Sequence, residues 1–134
     1  MKKSISIFGV TGSVGNSAVE LIRRRKDEFE VIAITCNSDI KNISLLANEL
    51  SPKIIAIANE KKLEELKENI PTNIKCLAGT EGVCEAASYE SDITIASIVG
   101  LAGLKPLIES IKSSSIIALA NKECIVSAGS FIKK

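Results

Sequence analysis

The sequence predicts an α/β fold, a doubly wound and mostly parallel sheet with helices on both faces. Two observations predict it. Strand-like and helix-like segments alternate along the chain with short connections, and such alternation builds βαβ units. The strand-like runs are also continuously apolar in their middles, as strands covered on both faces are.

The first strand falls at about Ser4 to Phe8. The first helix follows from Ser13 to Lys26, with Val14, Ala18, Leu21 and Ile22 on one face. A second strand spans Glu30 to Cys36. The second helix runs from about Ile40 to Leu50, with Ile43, Leu46, Ala47 and Leu50 as its apolar stripe, and Ser51-Pro52 stops it. The third strand is Ile54 to Ala58. The third helix is Glu60 to Asn69, with Leu63 and Leu66 inward, and Pro71 ends it. Lys75 to Ala78 is a short strand and Thr80 to Ser88 a short, Ala-rich helix. Asp92 to Ala96 is the fifth strand. The small-residue loop Ile98 to Gly103 leads into a helix bearing Leu104, Leu107, Ile108 and Ile111, with Pro106 in its first turn. Ser115 to Leu119 is the sixth strand. Ala120 to Lys134 read as a strand end running into a helix that stops early, so the expectation is a piece of a longer protein.

The turn after the first strand carries the most information. Residues Gly9 to Gly15 read Gly-Val-Thr-Gly-Ser-Val-Gly, directly after Ile5, Ile7 and Phe8. Three glycines at a spacing of three stand between a strand and a helix. Such a turn aims several backbone N–H groups at one point, and the helix adds the positive end of its dipole, so a pyrophosphate is the natural occupant. One glycine allows the tight turn, one lets the backbone approach the phosphates, and one lets helix and strand pack closely. The spacing is not the strict G-x-G-x-x-G form, and Thr11 and Ser13 add hydroxyl donors. The plainer reading is an ordinary glycine turn. The strand before it and the helix after it favour a Rossmann-like dinucleotide site.

Composition sets bounds. The 134 residues suffice for one domain with a core. The net charge is +1, which offers no strong field for nucleic acid or acidic membranes. Aromatics are 3% with no Trp, so the stacking platforms of single-strand binders are missing. The basic run Arg23, Arg24, Arg25, Lys26 falls at the end of the first helix, where cations complement the dipole. Cys36, Cys76, Cys84 and Cys124 form no C-x-x-C pair, and there is no histidine to complete a zinc site. They read as reduced, mostly buried thiols of a cytoplasmic protein. No apolar run is long enough to span a membrane or to act as a signal peptide.

Two further constellations carry chemistry. The end of the second strand decides between the two nicotinamide dinucleotides, because an acidic side chain there binds the ribose hydroxyls of NAD. Counting about twenty residues from Gly15 reaches Thr35 and Cys36, neither of them acidic; Asn37, Ser38, Asp39 and Lys41 follow. Amide and hydroxyl donors with a nearby Lys suit a 2′-phosphate better than a 2′-hydroxyl. The same three residues can instead form a helix N-cap, and Ser38 or Asp39 can serve both roles. The second constellation is Ala120-Asn121-Lys122-Glu123, after the sixth strand. Ligands of open α/β sheets sit beyond the carboxyl ends of the strands. Asn121 can bond an amide or ribose, Lys122 can hold a phosphate or polarise an oxygen, and Glu123 can orient either. The bland alternative is a helix N-cap at Asn121 with a solvated Lys/Glu pair.

Together these motifs resemble the 1-deoxy-D-xylulose 5-phosphate reductoisomerase family. Gly9 to Ser17, Ala96 to Leu104 (Ala-Ser-Ile-Val-Gly-Leu-Ala-Gly-Leu) and Ala118 to Val126 (Ala-Leu-Ala-Asn-Lys-Glu-Cys-Ile-Val) match family segments in the right order. The resemblance covers essentially the whole chain. Its Ala-Asn-Lys-Glu segment is specific to the family, whereas the glycine loop is not. It implies an NADPH-dependent oxidoreductase of the non-mevalonate isoprenoid pathway, which rearranges and reduces 1-deoxy-D-xylulose 5-phosphate to 2-C-methyl-D-erythritol 4-phosphate. Carried over, Thr11, Gly12, Ser13 and Val14 contact the cofactor phosphates. Asn37, Ser38 and Asp39 align with the adenosine-phosphate site. Asn121 and Glu123 lie near the nicotinamide, and Lys122 reaches the substrate. The chain departs from the family in two places: Asn37 and Ser38 stand where it often has Gly and a basic or polar residue, and Cys124 replaces its usual Ser.

The resemblance further implies a homodimer, a phosphosugar substrate, and a divalent cation (Mn2+ or Mg2+) held by acidic residues beyond Lys134. On this reading residues 1–134 are the NADPH-binding domain without the following catalytic domain. They bind nucleotide, carry no catalytic or metal-ligating residue of their own, and do not turn over substrate. The competing readings are the cofactor domain of another NAD(P)-dependent dehydrogenase and a non-enzymatic module that senses the nucleotide ratio.

Overall fold

The computed structural model describes residues 2–96 and 114–119. The expected loop at 98–103, the helix bearing Leu104 to Ile111, and everything expected from Ala120 onward lie outside the described residues.

The described strands are β1 (Lys3–Phe8), β2 (Phe29–Cys36), β3 (Ile54–Ile57), β4 (Lys75–Ala78), β5 (Ser91–Ala96) and β6 (Ser114–Leu119). They form one sheet in the order β4-β3-β2-β1-β5-β6, and every adjacent pair runs parallel. The helices are α1 (Ser13–Arg24), α2 (Ile40–Leu50), α3 (Leu63–Glu68) and α4 (Gly79–Ala87).

Both faces of the sheet are covered. On one, Ile5, Ile7, Ile34, Ile55 and Ile57 pack with Val19 and Ile22 of α1, Ile43 and Leu46 of α2, and Leu66 of α3. On the other, Phe8, Ala33, Ile54 and Ala56 pack with Val83, Ala86 and Ala87 of α4. Ile7, Ile34, Ile43, Ile54, Ile55, Ile57 and Leu66 are completely buried. Each side chain of this size stabilises the fold by about 1.5–3 kcal/mol relative to leaving it exposed. This double burial is why β3 reads Ile-Ile-Ala-Ile with no polar alternation.

The structure differs from the sequence pattern in four local features. In α1 the inward face is Gly15, Ala18, Val19 and Ile22, while Val14 and Leu21 are exposed at 41% and 48%. Gly15 is invisible to a search for apolar side chains, so the sequence pattern placed the stripe too far round. The helix ends at Arg24, and Lys26–Glu28 form a 3-10 turn with no buried residue; nothing there anchors another α turn to the core. Before α3, Glu60–Lys62 form another 3-10 turn, with Asn59 Oδ1 accepting from Lys61 N at 3.1 Å. Such tightening is common at helix starts. Cys36 is buried, but Cys76 and Cys84 are only half-buried; none of the three is in a disulfide.

Candidate functional site

The strand order places a topological switch point at β1. The chain moves from β1 through β2 and β3 to β4 on one side, then returns to β5 on the other side of β1. The crevice beyond the carboxyl ends of the strands at such a point is the ligand site of open α/β sheets. Residues Gly9 to Gly12 form the loop at that place, between β1 and α1.

The end of β2 holds the loop. Phe8 stands beside Thr35. Gly9 N donates to both the carbonyl (3.1 Å) and the Oγ1 (3.1 Å) of Thr35, and Val10 N donates to the same carbonyl at 2.8 Å. Gly12 N then donates to Gly9 O at 3.1 Å, which closes the turn. Thr35, non-acidic in the sequence, is thus a fixing point of the loop. Its signal was a buried hydroxyl near the end of a central strand.

The three glycines divide three tasks. Gly9 takes φ = 78°, a left-handed conformation that costs other residues roughly 1–2 kcal/mol. Gly15 is a packing position: a Cβ there would stand 2.4 Å from Gly9 O and 2.6 Å from the Val10 backbone. Gly12 needs neither freedom, since its backbone is extended at φ −80°, ψ 176°. Among the described residues, a Cβ on it would meet only Gly9 O, at 3.4 Å, an ordinary contact. Gly12 is exposed, and nothing among the described residues requires the missing side chain.

Gly12 is also the N-cap of α1. Gly12 offers no side chain to cap this helix, and its first turn holds no acidic residue. The first N–H groups of a helix have no intrahelical partner, and they carry the positive end of the dipole. At the other end Arg23 and Arg24 complement the dipole. Arg23 is bound to Glu49 of α2 through Nε and, at 2.6 Å, through the other arm of its fork; it also bonds Glu20 at 2.5 Å.

The expected site residues fall in two groups. Thr11 is half-buried, Gly12 and Val14 are exposed, and Ser13 is the first residue of α1. Asn37, Ser38 and Asp39 follow the end of β2, so the register sets them beside the glycine loop. Asn37 and Ser38 are exposed. Asp39 is the N-cap of α2: Oδ1 accepts from Asn42 N at 3.2 Å and Oδ2 from Asn42 Nδ2 at 2.7 Å. Asn121, Lys122 and Glu123 lie outside the described residues. They follow β6 in sequence, and β6 pairs with β5 through Leu119 beside Ala96.

Cys36, the last residue of β2, directs Sγ toward Asp39 O at 3.9 Å. Burial pushes its thiol up to about 12, so it is no nucleophile at neutral pH. Among the described residues no group of three His, Cys, Asp or Glu side chains could hold a metal ion. No described helix is long and apolar enough to cross a membrane.

Comparison with known proteins agrees with this geometry. Residues 5–129 match the family model described as 1-deoxy-D-xylulose 5-phosphate reductoisomerase. The chain is 40% identical to the reductoisomerase of Caldanaerobacter subterraneus subsp. tengcongensis, over 98% of this chain and 34% of that protein. It is 41% identical to that of Wolbachia pipientis subsp. Culex pipiens, again over 98% and 34%. Among solved structures, the Zymomonas mobilis reductoisomerase in complex with NADPH superposes with a TM-score of 0.94 at 36% identity, covering 99% of this chain and 36% of that one. A reductoisomerase complex with NADPH, fosmidomycin and magnesium gives 0.90 at 34% identity, over 98% and 33%. The chain therefore spans about a third of the length of the relatives it matches. With its residues matched nearly end to end and its parallel sheet superposed, the chain belongs to the 1-deoxy-D-xylulose 5-phosphate reductoisomerase family.

Proposed function

We propose that this chain is the NADPH-binding domain of a reductoisomerase that converts 1-deoxy-D-xylulose 5-phosphate to 2-C-methyl-D-erythritol 4-phosphate. The observation that carries the nucleotide part is the glycine-capped start of α1 at Gly12, at the switch point of the sheet. A glycine that neither conformation nor packing requires leaves room for a ligand to come against the backbone. The pyrophosphate fits this cradle.

Each residue then has a role. The backbone at Gly12, Ser13 and Val14 receives the phosphates, with Thr11 beside it, and the α1 dipole favours their charge. Exposed Val14, which the core does not use, offers an apolar contact to the nucleotide. Asn37 and Ser38 supply donors to the adenosine phosphate, with Asp39 behind them. Asn121 and Glu123 serve the nicotinamide side, and Lys122 holds the substrate. When bound, NADPH supplies the hydride for the reduction. The divalent cation implied by the family finds no ligand cluster among the described residues. In the full-length protein, a homodimer would complete the assembly. Cys36, Cys76 and Cys84, none of them in a disulfide, suit a reducing, cytoplasmic setting.

Calorimetric titration of the chain with NADPH and NADH tests the reading. The expected outcome is selective NADPH binding without turnover of the phosphosugar. Equal or preferential NADH binding would point to another dehydrogenase. Binding of neither would remove the nucleotide site. In the full-length protein, Lys122→Ala is expected to impair turnover while nucleotide binding persists.

A further inference from the structure

Of the residues that follow β2 toward the glycine loop, Asp39 is the acidic one. A free carboxylate in this part of a dinucleotide fold accepts hydrogen bonds from ribose hydroxyls, and it repels a 2′-phosphate. In this chain the carboxylate is not free. Asn42, one turn along α2, holds both its oxygens: Oδ1 through its backbone N–H at 3.2 Å and Oδ2 through its side-chain amide at 2.7 Å. The first bond is an ordinary N-cap that any residue except proline would provide at position 42. The second depends on the Asn42 side chain. Between Gly15 and Asn37 the chain's arginines stand in the helix α1 end, not here; beside Asp39 the cation is Lys41, exposed in the first turn of α2. With no arginine to outweigh it, the carboxylate's position decides what this corner attracts.

We propose that Asn42 is a specificity-determining positioning residue. By engaging the second oxygen of Asp39, it keeps the carboxylate folded onto the start of α2 and leaves the corner to Asn37, Ser38 and Lys41, so that NADPH is preferred to NADH. This inference rests on the nucleotide-binding reading above. Without the Asn42 amide, Oδ2 loses its charge-assisted bond, and the side chain becomes available to a ribose 2′-hydroxyl.

The test is a double-mutant cycle on the NADPH-to-NADH affinity ratio, with the wild-type chain, Asn42→Ala, Asp39→Asn and the double variant. Asn42→Ala is expected to lower the ratio about tenfold, the scale of one charge-assisted hydrogen bond. In the Asp39→Asn background the same change is expected to leave the ratio unmoved, because no charge remains to be released. Asn42 is exposed, so truncation removes no core contact. Asn42→Met, equally without a donor but a better helix former, is the second variant and is expected to give the same shift. A purely structural role would weaken both nucleotides together and leave the ratio constant, which overturns the proposal. So does an equal shift in the Asp39→Asn background. If the wild-type chain binds neither nucleotide, the underlying reading fails as well; if it binds them with a ratio insensitive to Asn42, only this proposal fails.

Discussion

The starts of α1 and α2 stand at the same edge of the sheet, just beyond β1 and β2, yet they are built in opposite ways. At α2 the chain satisfies its own helix: Asp39 bonds Asn42 N, and its second oxygen takes the Asn42 amide. At α1 the cap is Gly12, with no side-chain bond and no acid in the first turn. Relative to Asp, a Gly cap costs a few tenths of a kcal/mol. That small loss leaves the donors and the dipole of α1 directed at a visitor. One helix end belongs to the fold and the other, on the proposed reading, to the ligand, and the difference lies in one side chain at each N-cap.

The contrast can be broken most severely at Gly15. Its Cβ would press into the Val10 backbone, so Gly15→Ala is expected to destabilise the chain by about 3 kcal/mol, at the upper end of overpacking effects. Urea denaturation would show it, and nucleotide binding should fall as the loop is displaced. Next comes closing the open end. Gly12→Asp gives α1 the cap that α2 already has. Stability is expected to rise by a few tenths of a kcal/mol. NADPH affinity is expected to drop by about 100-fold, the scale of a like charge brought within a few ångströms of the phosphates. Opposite signs in denaturation and calorimetry are the signature; a parallel loss in both would mean that Gly12 serves the fold.

Opening the closed end is a smaller change. Asp39→Ala is expected to cost about 1 kcal/mol through the lost cap, and Asp39→Asn to cost little, since Asn caps as well as Asp. Thermal melts of the two variants would separate capping from charge. The smallest effect sits at the far ends of the same helices. The Arg23 guanidinium holds the Glu49 carboxyl below the usual carboxylate range. The folded state therefore binds fewer protons than the unfolded one. The stabilisation is complete above the ordinary carboxylate value of 4.5 and is lost as pH falls through the lower folded value. Melting temperatures taken from pH 7 downward should decline less steeply in Glu49→Gln than in the wild type.

Much of this was legible beforehand where side chains carry the signal. The limits of α2 and β4 agree with their apolar patterns, and Ser51-Pro52 does mark the end of α2. Asn37, Ser38 and Asp39 were read both as a phosphate corner and as a cap, and the structure shows Asp39 capping. What escaped was carried by backbone. Gly15 faces inward without an apolar side chain, so Val14 and Leu21 were credited with a face they do not have. The support of the loop by Thr35 depends on strand register, which pattern alone leaves open. The Asn42 amide on Asp39 is a side-chain geometry that spacing permits but does not require.

The pairing of β1 with β5 has a consequence for how the molecule assembles. Ser4 N donates to Asp92 Oδ2 at 2.9 Å and Asp92 N to Ser4 Oγ at 2.8 Å, across a sequence separation of 88. Contacts this distant in sequence carry a larger loop-closure entropy than the β1–β2 pairing and slow a folding reaction. The β1–β4 half can gather neighbour by neighbour, whereas the second wall of the crevice waits for β5. Pulse-labelled hydrogen exchange should then find β2 and β3 protected before β5, and simultaneous protection would argue against this order. On this order the crevice is completed last, and a nucleotide added during refolding acts on the final step of assembly.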